Sequence, residues 1–527
     1  TTVRELDESL GNFLFLASAM VLTIAFITIS LRRVRPWRYA FAPLGLVLVA
    51  GIGFFSVYRF KEFDGEMWPQ FTQRFAPNTR VLPVESVAAN GDVDPSKLPR
   101  DLADDAAPQS SLSTTGKSYP GFLGPQRNGA IAEREFAIDW DFNPPQLLWK
   151  QPIGEGWAGF AMAGDYAVTL EQREEEEWLS CYNATTGELV WHVAHPGRHE
   201  DMAGGIGPRS TPTIEEDRVY AQSATGKLWC VNIADGSVVW EHNLIDEQKE
   251  TVQQFEGQVQ WGRAGSPLIL DELCIVPSGE LHAGQSSNDP NAKRFSLIAL
   301  NKLNGEIIWK GGESQISYAS PIHSTIAGVP QIVSMNESDV TGHDPQTGNV
   351  LWRFPFFGDS NGPASCTTPI TIDDDKLLIS KAYGTGYILL QFQQQDDGTL
   401  TAKPIQDSAR YLKTKFSHVA VKGDDAFAIN DGTMVSVNYR TAKLNWRQPR
   451  RGRFGHGQSI RVEDVLLVIS EEGDVVLMDL NPNEYTEIAR MSALDDKTWN
   501  MPALAGTLLI VRNHQSAAAY RLPNRNE

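Results

Sequence analysis

The sequence predicts an all-β, eight-bladed β-propeller preceded by a two-helix transmembrane hairpin, and three observations carry that reading. Five segments share one ending: CYNATTGELVW (Cys181 to Trp191), CVNIADGSVVW (Cys230 to Trp240), ALNKLNGEIIW (Ala299 to Trp309), GHDPQTGNVLW (Gly342 to Trp352) and SVNYRTAKLNW (Ser436 to Trp446). A Pro returns in one phase ahead of short apolar runs, at Thr211-Pro212, Ser266-Pro267, Ser320-Pro321, Thr368-Pro369 and Met501-Pro502. Two long stretches without charge lie near the N-terminus, at residues 13–31 and 41–58.

In chain order the hairpin comes first. About 20 apolar residues cross a bilayer as a helix, and the two stretches are separated by Arg32, Arg33, Arg35 and Arg38. The positive-inside rule places that loop in the cytoplasm. The expectation is a bacterial inner membrane protein with its N-terminus and main domain on the periplasmic side. Residues 59–118 are rich in Pro, Ser and Asp, the composition of a linker. Residues 119–527 are then the propeller.

The repeat ending describes a hairpin. A strand stops at Asn, Asp or Thr, a Gly four residues before the Trp makes the turn, and a β-branched strand returns to bury the ring; in the fifth copy Ala442 replaces the Gly. Structural roles follow for Trp149, Trp191, Trp240, Trp309, Trp352 and Trp446. Proline cannot donate to a ladder, so the recurring Pro belongs at the start of an innermost strand. Eight units result: 159–191, 210–240, 265–309, 319–352, 367–404, 417–446, 458–491 and 501–522. The fifth lacks the Trp, and the eighth lacks an outer strand, which PQLLWKQP around Trp149 supplies. Closure of this kind removes free sheet edges.

These repeats resemble the PQQ-type propeller repeat shared by quinoprotein alcohol dehydrogenases and BamB. With YPGFLGPQRNGA (Tyr119 to Ala130) and the hairpin, the chain looks like the membrane-anchored PQQ-binding-like propellers of planctomycete type. The resemblance implies either a binding scaffold or a PQQ- and calcium-dependent dehydrogenase with a disulfide between adjacent cysteines. Cys181, Cys230, Cys274 and Cys366 include no adjacent pair, and no segment preserves the calcium-site context. No cofactor is therefore predicted, PQQ with calcium staying as the alternative, and an enzyme is the lesser expectation. A third reading is an accessory subunit of a larger membrane complex.

Charge and geometry indicate where a ligand would bind. A net charge of −19 argues against a nucleic-acid partner. In a closed propeller the starts of all innermost strands meet at one channel mouth. There the sequence places Arg209, Arg263, Lys415, Arg453 and His456 beside Tyr318 and Trp499. Cations with flat walls suit an envelope protein partner through an acidic segment, or an anionic small ligand. The acidic runs Glu174 to Glu177 and Asp373 to Asp375 read as solvated hairpin tips, and no metal is expected.

Overall fold

The computed structural model describes residues 42–65, 68–74, 117–248, 250, 259–286, 289, 291–357, 364–396 and 399–525. They fall in two compact units, divided between Leu82 and Pro83. In the first, a helix, Ala42–Val57, leads into an antiparallel hairpin of Tyr58–Phe63 and Pro69–Gln73, closed by rings of Phe54, Phe60 and Phe71. This hairpin stands where composition predicts linker. The stretch at 13–31 lies outside the described residues, as does all of 75–116. Among the described residues no helix is long and apolar enough to cross a membrane. Ala42–Val57 has 16 residues, about 24 Å at 1.5 Å per residue.

The second unit holds eight antiparallel sheets in sequence order, each an up-and-down set of four strands. They are numbered here as blades one to eight, beginning with Ala161–Ala163, Thr213–Glu215, Leu268–Leu270, Ile322–Ile326, Ile370–Ile372, Ala420–Lys422, Gln458–Val462 and Ala503–Ala505. First strands of neighbouring blades touch and line the central channel. Pro212, Pro267, Pro321, Pro369 and Pro502 each immediately precede one of them. Blade eight has three strands of its own and is completed by Gln146–Pro152, which pairs with Ser516–Arg521.

What the repeat does is visible at the junctions that carry its Trp. Trp149, Trp191, Trp240, Trp309, Trp352 and Trp446 are all buried. Across the ladder each faces a small residue, Ala519, Cys181, Cys230, Ala299, Gly342 and Ser436 in turn. The indole N–H of Trp149 donates to the Ala184 carbonyl of the next blade at 3.0 Å, that of Trp191 to Ile233 at 2.7 Å and that of Trp240 to Lys302 at 2.8 Å. The ring lies flat on the next blade's turn glycine. A Cβ on Gly187 would stand 2.8 Å from Trp149, and one on Gly236 2.7 Å from Trp191; both glycines also have positive φ. The Gly therefore belongs to its neighbour's Trp as much as to its own turn.

A second belt runs round the channel. The N–H of Gly159 donates to the Thr211 hydroxyl, that of Thr211 to Ser266 and that of Ser266 to Ser320, at 2.9, 3.0 and 2.9 Å. In blade five Thr368 donates to His418 Nδ1 of blade six at 3.2 Å. Asn500 of blade eight donates to Gly156 and Ala158. The hydroxyls of Thr211, Ser266 and Ser320, each before a Pro, thus link one blade to the next, because backbone groups at the channel wall need partners that a first strand cannot supply.

The segment 118–131 closes one end of the channel. Ser118–Tyr119 pairs with blade one, Pro120 accepts from Ile214 of blade two, and Ala130–Ile131 adds a parallel strand to blade seven. Between them the Arg127 guanidinium donates to the carbonyls of Pro267 at 2.8 Å, Ser266 at 3.0 Å and Pro321 at 3.3 Å. Losing one donor to three carbonyls is expected to make Arg127→Met about 2 kcal/mol less stable. Hydrogen exchange over 118–131 should rise before exchange in the blades. Unchanged exchange in that segment would show that Arg127 is not what holds it.

Candidate channel mouth

The opposite end of the channel is built from the loops that lead into the first strands, and it divides into two sides. On one, Trp157 and Trp499 meet at 4.7 Å, with His514 stacked on Trp157 at 5.4 Å and Phe416 against Trp499 at 4.8 Å. The Lys497 ammonium sits 4.4 Å from the Trp499 ring and 5.2 Å from Trp157, a cation–π arrangement. Glu471 fixes this side: it accepts the Trp499 indole N–H at 2.9 Å and the His456 backbone N–H at 2.8 Å.

The other side is cationic. Arg209 is largely buried and donates to the carbonyls of Gly204 at 2.7 Å and Gly207 at 3.3 Å; burial pushes its pKa down to about 10. Trp261 and Tyr318 pack at 5.3 Å, the Tyr318 hydroxyl accepting the Trp261 N–H at 3.4 Å. Lys415 lies 5.9 Å from the Tyr383 ring. Lys381 is 1% exposed, donates to the Glu337 carbonyl at 3.0 Å and is held below its ordinary pKa by burial. Arg209, Lys381 and Lys415 all act electrostatically on the Cys366 thiol, whose burial nonetheless pushes it up to about 12.

Of the sequence-predicted residues, the structure brings Arg209, Tyr318, Lys415 and Trp499 to this mouth. Arg453 is exposed on the loop into blade seven. His456 is buried with its ring against Phe416 at 5.9 Å. Arg263 is turned into blade three, 1% exposed, donating to the carbonyls of Pro277, at 2.7 Å, and Ser278. Its planar fork closes off the end of a strand, which is a structural use of the guanidinium. In the acidic run at 174–177, Glu174, Glu175 and Glu176 are exposed at a hairpin tip as expected, but Glu177 departs from it. Glu177 is fully buried and accepts from Ala224 N at 2.8 Å, Thr225 N at 3.2 Å and the Thr225 hydroxyl, tying blade one to blade two.

Lys381, Tyr383 and Cys366 were not singled out from the sequence. Their signal is the fifth unit itself, which lacks the repeat's Trp and carries KAYGTG in the turn between its second and third strands. Tyr383 there has a φ of 55°, a left-handed conformation that is unusual for a bulky residue.

Among the described residues no group of three His, Cys, Asp or Glu side chains converges to hold a metal ion. Cys181, Cys230, Cys274 and Cys366 are free thiols, the first three buried. None of the four supplies the adjacent-cysteine disulfide that the resemblance implies.

Comparison with known proteins gives a consistent picture. BamB of Shewanella oneidensis is 20% identical over 322 residues, covering 52% of this chain and 77% of that protein. The dehydrogenase subunit of the quinone alcohol dehydrogenase of Gluconobacter oxydans is 24% identical over 295 residues, but the match covers 49% of this chain and only 33% of that one. Among solved structures, the quinohemoprotein alcohol dehydrogenase ADHIIG of Pseudomonas putida HK5 aligns with a TM-score of 0.50 at 10% identity, over 75% of this chain and 78% of that one. BamB from Moraxella catarrhalis gives 0.47 at 14% identity, over 72% and 99%. At such identities the structural likeness shows the fold alone. The family model described as outer membrane protein assembly factor BamB matches residues 140–257 and 175–416, more than half of the sequence, and the chain belongs to that family of PQQ-repeat β-propellers.

Proposed function

We propose that the chain is a membrane-tethered, periplasm-facing propeller that works as a binding scaffold in the cell envelope, engaging protein partners through its channel mouth and blade-edge loops. The observation that carries this reading is where the repeat's chemistry goes. Trp, turn Gly, Ser/Thr-Pro hydroxyls, Glu177 and Arg127 join blade to blade or close the channel, which yields a rigid frame whose irregular loops are left to present side chains. Family membership and the BamB relatives support a protein-interaction role. Tethering rests on the two apolar stretches at 13–31 and 41–58, and orientation on the arginines between them.

The test is purification of the full chain from its native membrane in mild detergent after brief crosslinking. Stoichiometric co-purification of envelope proteins is expected, together with digestion of the propeller by protease once the outer membrane is permeabilised. A propeller that stays protected until the cytoplasmic membrane is lysed would overturn the orientation. Stoichiometric, calcium-dependent PQQ uptake with alcohol oxidation would overturn the scaffold reading in favour of the dehydrogenase.

A further inference from the structure

The scaffold reading leaves unexplained the cations that Arg209, Lys381 and Lys415 bring to one side of the mouth. Lys381 is almost completely buried, yet its ammonium meets only a backbone carbonyl. Arg209 likewise donates to carbonyls, and among the described residues neither is ion-paired with a carboxylate. Asp201 acts on Arg209, and Glu337 on Lys381, without reaching ion-pair range. Burying a charge without a direct ion pair is costly in general. Lys381 is buried, and the half-buried Arg209 lies with Trp261 against Gly204, Trp261 packing on Tyr318, whose backbone N–H donates to the Ser365 carbonyl beside Cys366 at 3.1 Å; together they mark a place prepared for an anion.

The surroundings point the same way. Ser365, next to Cys366, is fully buried with its hydroxyl unpartnered among the described residues. Tyr383 is held at positive φ, a strained state that persists only where the structure over-determines it. All of this concentrates on blade five, a blade without the repeat's Trp. A blade that no longer keeps the common docking chemistry, and instead carries a buried lysine and a strained tyrosine, is the specialised one.

We propose that Arg209, Lys381 and Lys415, set round Cys366 and walled by Tyr318 and Tyr383, form a binding site for a carboxylate group. The carboxylate comes either from an acidic segment of a partner protein or from a free small acid. For the first source the proposal deepens the scaffold reading and rests on it; for the second it stands alone. Two donor-rich cations give charge-assisted hydrogen bonds, and the tyrosine walls favour a flat or extended ligand over a hydrated inorganic ion.

The experiment uses the full chain in detergent with two probes, capped hexaglutamate peptide and benzene-1,2-dicarboxylate, read by calorimetry. Saturable binding that weakens with salt is expected for at least one probe. Lys381→Met should weaken it about tenfold, as should Lys415→Gln, a variant at a partly exposed position that guards against a folding defect in the first. Binding of the peptide alone assigns the carboxylate to a protein partner, and binding of the dicarboxylate alone assigns it to a small acid. No saturable binding of either, or affinities unchanged in both variants, overturns the site. Carboxylate binding without any partner capture would instead sink the scaffold reading and leave the site standing.

Discussion

Trp149→Ala is expected to destabilise the propeller by about 3–5 kcal/mol, the range for removing a buried Trp side chain. The residue sits on the strand that completes blade eight, pairing with Ala519, with its N–H bonded to Ala184 and its ring on Gly187 of blade one. Truncation opens a cavity, orphans the Ala184 carbonyl and loosens the junction at which the ring closes. Chemical denaturation of the full chain reads the loss, and less than about 1 kcal/mol would show that closure does not depend on this ring. A double-mutant cycle sharpens the test. Gly187→Ala alone should be severe, because the new Cβ meets the Trp149 ring at 2.8 Å and the backbone has a φ of +77°. With Trp149 already truncated only the backbone strain remains, about 1 kcal/mol, so the double variant should be clearly more stable than the sum of the singles predicts.

The same contact explains an irregularity that the sequence shows but does not account for. Blade six carries Ala442 where the repeat has Gly, at a φ of 55°. The preceding blade five carries no Trp, so no indole presses on that turn and a Cβ is tolerated, Ala442 packing against the cluster of Tyr387 and Leu389 instead. The absence of the Trp in one unit and of the Gly in the next are thus linked. Trp352 of blade four packs edge-on against Phe392 of blade five at 4.7 Å. The eight-bladed ring was legible because repeat period, Trp and Pro are local signals. The mouth was legible only in part. Position in the strand-leading loops located Arg209, Tyr318, Lys415 and Trp499, but could not say that Arg263 points into its own blade, since rotamer choice depends on which carbonyls packing leaves open. Lys381 and Tyr383 arrive from the turn after a second strand, a place where the ring geometry, not the repeat, brings them to the channel. Glu177 was misread for the same reason: its partners, Ala224 and Thr225, belong to the next blade.

Acid should weaken the propeller through His418 well before the carboxylates are fully protonated. The imidazole is 5% exposed, accepts the Thr368 N–H at Nδ1, and meets Phe122 of the channel-closing segment at 5.2 Å. Burial lowers its pKa to about 3, against about 6.5 in the unfolded chain. Between those values the unfolded state binds the proton and the folded state does not, so stability is intact above about pH 6.5 and falls progressively as pH drops toward 3. At pH 4 the loss from this one group is about 3 kcal/mol. His199, whose burial lowers its pKa to about 4, adds a smaller loss in the same direction. The belt bond gives the mechanism: a protonated Nδ1 cannot accept from Thr368, and a charged ring cannot stay under Phe122. His418→Asn keeps an acceptor near the Thr368 N–H but cannot titrate. Denaturation curves measured from pH 8 to pH 4 should therefore run in parallel for the two proteins at the alkaline end and diverge below about pH 6.5, the variant losing less. Carboxylate titration is common to both and cancels in the difference. Curves that fall together across the whole range would show that His418 is not buried as a neutral acceptor, and would remove the His418 link between blades five and six.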